Sequence, residues 1–269
     1  METRAISGIT LLFDRGEQDT ADLIAGTCAK AVQLIDESWG LKTPADCRIY
    51  VMTSWLRFVF HSAPWHWRIL LGVLFPLWFL RAKRMWSYAG GWTQRFGRRV
   101  VIGVKPPRLL ELADRSIGDR IFIKETDAEE KMQHITCHEM THAFSSHLKL
   151  PMWLNEGIAM VTVDRLLGKP TIKRETLEII RAWPQKSKSP TYREMSRAGG
   201  EEIAYQTARG YWITRYLEEK HPGLLRRTFS GSRSQVGASL ERAVISELGM
   251  QPESFWQEID DVVTAHFEG

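Results

Sequence analysis

Apolar and polar positions recur along the chain with two different periods, and the change of period divides it. Residues 17–39, EQDTADLIAGTCAKAVQLIDESW, place Leu23, Ile24, Thr27, Ala31, Leu34 and Ile35 at helical spacing, with Gly40 as the terminator. CRIYVMT (47–53) and RRVVIGV (98–104) are short β-branched runs, and DRIFIKE (119–125) alternates apolar with polar residues; all three predict strands. From residue 127 the period is helical. The segment 127–147 opens with acids in its first turn, where the helix dipole favours them, and KLP at 149–151 breaks it. MWLNEGIAMVTVDRLL (152–167) predicts a second helix, ended by Gly168 and Pro170. Further helices are expected at 171–183, 201–220, 238–249 and 252–267. Strands first and helices after predict an α+β fold, with a small N-terminal sheet followed by a helical half, as one domain over residues 1–269.

Composition adds two constraints. The 269 residues are 43% hydrophobic and 25% charged, ordinary for a folded chain. Cys28, Cys47 and Cys137 form no CxxC pair, which argues against a disulfide scaffold and fits a reducing compartment. The first residues lack the pattern of a secretory leader, so a cytoplasmic location is expected. The net charge of +4 is unevenly spread. Between Arg48 and Leu110 there are 11 lysines and arginines and no Asp or Glu, so the remainder is net acidic. Six of the 11 tryptophans, Trp55, Trp65, Trp67, Trp78, Trp86 and Trp92, lie in the same span.

The candidate chemistry lies in HITCHEMTHAF (134–144). On a helix, His138 and His142 share one face with Cβ atoms ~5–6 Å apart, so both can reach one ion. Glu139 stands beside that face, able to reach a water at the metal without taking a ligand position. HExxH arises by accident in roughly 2% of sequences of this composition, so the pattern needs support. Support comes from WLNEGIA (153–159), where Glu156 is a ready third ligand on a helix that the turn at Lys149-Leu150-Pro151 can fold back. Gly157 and Ala159 are small enough for close approach. His134 and His147 read as ordinary histidines, and Cys137 as core.

HEMTH followed by WLNEGIA resembles the gluzincin zinc metallopeptidases, in particular compact peptidase-MA-like families with a W-x-x-E-G-x-A second helix. The resemblance spans about residues 98–220. It implies a zincin-like active-site half with one Zn2+ held by His138, His142 and Glu156, and Glu139 as general base in peptide-bond hydrolysis. The metzincin pattern fits less well, because Ser145 and Leu148 stand where it needs Gly and His. Some gluzincins carry an Asp four residues after the ligand Glu, and here that position is Met160. AYQTARGYWITRYLEEKHPG (204–223) is similar to a helix that accompanies such sites, which makes Tyr205 the first choice and Tyr211 the second for an oxyanion donor. A peptide or protein is the implied substrate. The rival reading is a catalytically silent zinc-fold protein that acts as a membrane-surface binding module.

The basic, Trp-rich stretch at about 55–95 reads as an insertion. Its apolar run Ile69–Leu80 would span ~18 Å as a helix, short of the ~30 Å of a bilayer core, and Pro76 would kink it. Tryptophans at its ends flanked by Arg and Lys suit an anionic membrane surface and peripheral association. A buried hairpin or lid over the cleft is the competing reading. Nucleic acid is disfavoured, because the apolar centre is too greasy for a solvated groove.

Overall fold

The computed structural model describes residues 1–75, 79, 83, 86–87, 89–111, 118–184, 188–195, 197–231 and 237–268. Pro76 and most of the second half of the apolar run lie outside them. The architecture is α+β, as expected. Five strands form one sheet in the order β1-β2-β3-β5-β4. Strands β1 (Glu2–Ile6) and β2 (Ile9–Phe13) make a hairpin that the sequence pattern did not announce. Helix α1 (Gln18–Trp39) carries the chain over to β3 (Asp46–Val51), which pairs parallel with β2. After the insertion, β4 (Gly91–Phe96) and β5 (Arg99–Val104) form a second hairpin. β5 pairs parallel with β3, and β4 is left at the sheet's edge.

Each face of the sheet has its own partner. Ile9, Leu11, Cys47, Ile49, Val100 and Ile102 point to the inner face and join the main core with α1. Within α1, Ile24, Cys28, Ala31 and Ile35 are fully buried at three- and four-residue spacing, and each buried Ile is worth about 2–3 kcal/mol. Gly40 ends the helix in the left-handed region, its N–H donating to Asp36 O. The alternate residues Tyr50, Met52 and Val101 face the other way and pack with Phe58 of α2 (Trp55–Ser62). Gly103 makes room there, since a Cβ would lie 2.7 Å from Met52 Sδ and 2.9 Å from the Phe58 ring. Helix α3 (Trp65–Val73) follows.

The helical half begins with α4 (Ala128–Ser145), whose cap Asp127 accepts from the Glu130 N–H at 2.8 Å. A tight turn with Lys149 at positive φ leads to α5 (Met152–Leu167). Helices α6 (Thr176–Ala182), α7 (Gly200–Lys220), α8 (Leu224–Gly231), α9 (Ala238–Glu247) and α10 (Phe255–Glu268) complete it. Two expectations need correction. Residues 119–125 are not a strand: Asp119–Ile121 is a helical turn that buries Ile121, and Phe122 makes an isolated bridge to Ile172. The small residue Gly157 serves α7 instead of α4. A Cβ on Gly157 would meet Gly210 O at 2.3 Å and Thr214 Oγ1 at 2.0 Å, and one on Gly210 would meet Trp153 O at 2.5 Å.

Because the obstructing atoms include backbone, neither glycine accepts a methyl without separating α5 from α7. Gly157→Ala and Gly210→Ala should each cost about 1–3 kcal/mol or more, read as a lower urea midpoint. Gly72→Ala, which has open space around it, serves as the control and should leave the midpoint within about 0.5 kcal/mol.

Candidate metal centre

His138 and His142 stand one turn apart on α4 with their rings edge to face, centroids 4.5 Å apart. Their Nε2 atoms are 2.9 Å from each other. Helix α5 brings Glu156 over both: Oε2 lies 3.4 Å from His138 Nε2, and Oε1 lies 3.5 Å from His142 Nε2. The turn between the helices is fastened by Ser145 Oγ, which donates to Asn155 Oδ1 at 2.8 Å. The three predicted ligands therefore converge, with one donor atom of each within 4.8 Å of the others. A tetrahedral ion with bonds of ~2.0–2.2 Å holds neighbouring ligand atoms about 3.4 Å apart. The observed separations bracket that value, so the group can hold a metal ion. Two imidazoles and a carboxylate suit zinc and other first-row divalent ions.

The electrostatics already favour a cation. Burial opposes charge on His142, but the Glu156 carboxylate outweighs it, helped by Glu139 and Asn155, and pushes the imidazole up to about 9. Burial likewise opposes charge on Glu156, yet the two histidines hold its carboxyl well below the usual range. A metal ion thus meets an ionised carboxylate and competes only with a proton for the imidazole nitrogen. Met160 lies in the core and supplies no support to the ligands. Among the described residues, His138 Nδ1 and His142 Nδ1 are buried without a hydrogen-bond partner, so neither ring is held at that nitrogen.

Glu139 is 8% exposed and is held from the edge strand. Thr93 Oγ1 donates to its Oε2 at 2.7 Å. A Cβ on Gly91 would fall 2.4 Å from Glu139 Cγ, so only glycine lets β4 pass this close. Neither residue was flagged by the sequence pattern, because GWTQRF lacks the alternation of a strand.

The two tyrosines chosen from the sequence are elsewhere. The Tyr205 hydroxyl donates to Asp260 at 2.8 Å, and its ring stacks on Trp183. Tyr211 donates to Asp164 at 2.6 Å. Both are fully enclosed, and burial pushes both phenols up. Among the described residues, the tyrosine that reaches the cluster is Tyr192, in a short helical turn of the loop after α6. Its hydroxyl donates to Glu156 Oε1 at 2.8 Å and accepts from Asn155 Nδ2 at 2.6 Å. Burial of that hydroxyl and the Glu156 charge raise it well above the usual phenol range, although half of the residue's surface is open.

His134, His147 and Cys137 have structural surroundings. His134 Nδ1 meets Glu125 Oε1 at 2.8 Å, His147 Nδ1 lies 2.9 Å from Phe144 O, and Cys137 is buried. No protein-family model matches the chain, and no curated protein matches it either.

Glu125 gives this region a defined acid response. Burial raises its carboxyl, but His134 and Lys131 outweigh burial and bring it down to about 2 from the ordinary 4.5. A depressed folded value means that the stabilisation is present above pH 4.5 and is lost as pH falls towards 2. Glu125→Gln should lower stability at neutral pH by about 1 kcal/mol after solvent screening. The gap to wild type should close between those two pH values in urea titrations.

Proposed function

We propose that the protein is a zinc-dependent peptidase of gluzincin type. The observation that carries this reading is the convergence of His138, His142 and Glu156 from two helices, with Glu139 on the adjoining face of α4. When bound, Zn2+ supplies Lewis acidity: it polarises a carbonyl oxygen and lowers the pKa of a water molecule to ~7. Glu139 takes the proton of the attacking water at its carboxylate and passes it to the leaving amine nitrogen. Thr93 steadies that carboxylate by its hydrogen bond to Oε2. The outer edge of β4, which pairs with no strand among the described residues, runs past Glu139 and suits an extended peptide added as a further strand, which favours a peptide substrate. Tyr192, in place of Tyr205, takes the role of hydroxyl donor to the tetrahedral oxyanion, because among the described tyrosines its hydroxyl is the one that reaches the ligand set.

Metal analysis of purified protein should give about one zinc per chain, lost in His138→Ala, His142→Ala and Glu156→Ala. Glu139→Gln should keep the zinc and lose hydrolysis of casein or a peptide library by about a hundredfold or more. A chain that binds zinc and cleaves nothing in its wild-type form is instead the silent binding module. A chain that binds no zinc is neither.

The tyrosine assignment is tested separately. Tyr192→Phe should lower kcat by roughly a hundredfold to a thousandfold with zinc retained, the cost of losing one oxyanion donor. Tyr205→Phe should weaken the fold, by removing one of the hydrogen bonds to the buried Asp260, while kcat of the folded fraction stays within about twofold.

A further inference from the structure

Helix α3 is unusual in that none of its residues is buried. Its sequence, WHWRILLGV, is nevertheless among the most apolar in the chain. Trp65, Ile69 and Val73 recur every four residues and form one stripe, exposed by 73%, 60% and 73%. Leu70 and Leu74 flank the stripe and are exposed as well. Water-facing apolar surface of this kind marks a site that something covers. The helix is not loosely attached. Arg68 folds back to donate to Ala63 O at 2.8 Å and His61 O at 3.2 Å, and α2 fixes the base of the unit on the sheet through Phe58.

Charge identifies the cover. Trp67 touches Phe96 with ring centroids 5.8 Å apart, so α3 lies beside the tip of the β4–β5 hairpin. That tip exposes Arg95 and Arg98 on either side of Gly97. Lys83, further along the insertion, is exposed too. Among the described residues no carboxylate pairs with Arg68, Lys83, Arg95 or Arg98, while Arg48, Arg57, Arg99 and Arg108 of the same span are ion-paired. An apolar stripe with tryptophans and a rim of unpaired cations is complementary to lipid tails beneath anionic headgroups. A second copy of the chain would oppose cation to cation across the same face. At nine residues α3 is about 14 Å long, so it lies in the interface and does not cross it. Among the described residues no helix is long and apolar enough to cross a membrane.

We propose that α3 and the β4–β5 hairpin tip dock the protein on an anionic lipid bilayer surface. The docking requires neither a bound metal nor the proposed hydrolysis. The full chain is sedimented with phosphatidylcholine vesicles containing about 30% phosphatidylglycerol, at about 0.15 M salt. Wild type should bind these and bind pure phosphatidylcholine at least tenfold more weakly. Trp65→Ser/Ile69→Ser/Val73→Ser, at positions outside the core, should keep the thermal midpoint and lose binding at least tenfold. Arg95→Glu/Arg98→Glu should lose it to a similar degree, and Glu139→Gln should bind as wild type. The proposal is overturned if wild type ignores the anionic vesicles, or if the Ser variant binds them undiminished. It is equally overturned if α3 is consumed in self-association, seen as a dimer in sedimentation velocity that the Ser variant abolishes while vesicles are ignored. Retention of a single-stranded oligonucleotide in place of vesicles overturns it as well.

Discussion

The approach of α5 to α7 at backbone contact distance is the constraint on which the metal centre depends. Glu156 has to stand over two histidines of another helix to within a few tenths of an ångström, and its own side chain cannot ensure that. Its position is inherited from α5, whose next residue, Gly157, lies against Gly210 O, while Gly210 lies against Trp153 O. At both positions a Cβ would press on backbone of the other helix, and glycine removes it. On the other side the short turn fastened by Ser145 and Asn155 fixes how α5 leaves α4. Clamped from both sides, α5 has little freedom to carry Glu156 away from His138 and His142. Packed interiors transmit small displacements, so the ligand set is as well ordered as this contact.

The parts legible in the sequence were those with a long period. Helices α1, α4, α5 and α7 each show apolar residues at three- and four-residue spacing over many turns, and the ligands sit on two of them. Short elements carry too few residues for a period to register. DRIFIKE alternates, yet its burial needs are met by one helical turn for Ile121 and one bridge for Phe122. The converse holds for β4. GWTQRF is a strand because the hairpin through Gly97 pairs it with β5, a tertiary cause that no local pattern records. It is also the strand that flanks Glu139, so the nearest neighbour of the proposed base was hidden for the same reason.

The tyrosines show how the ligand set could be read while its surroundings could not. Tyr205 and Tyr211 lie on a well-formed helix near the expected site, and both have hydroxyls that burial obliges to find a partner. The partner in each case is a buried carboxylate. Asp260 serves Tyr205 and also pairs with Arg209, which is wholly enclosed, and Asp164 serves Tyr211, Thr171 and Arg215. These networks bind α7 to α10 and to α5. Removing one member would strand a buried charge, which explains polar residues at core positions without any role in chemistry. Tyr192 had no comparable signal, because it lies in a loop where position is set by tertiary contacts alone.

Strand β4 ties the two unusual features of the molecule together. Successive residues of a strand face opposite ways. Gly91 and Thr93 face Glu139, whereas Trp92 faces the insertion, where its ring meets Trp55 at a centroid distance of 4.6 Å. Trp92 belongs to the same small cluster as Phe58, which seats α2, and Phe96 of this strand touches Trp67 of α3. The strand is at the sheet's edge, and among the described residues β5 is its strand partner. A shift of the insertion and a shift of the wall beside Glu139 are therefore displacements of one short piece of backbone. The close fit of Gly91 against Glu139 Cγ leaves no slack between them.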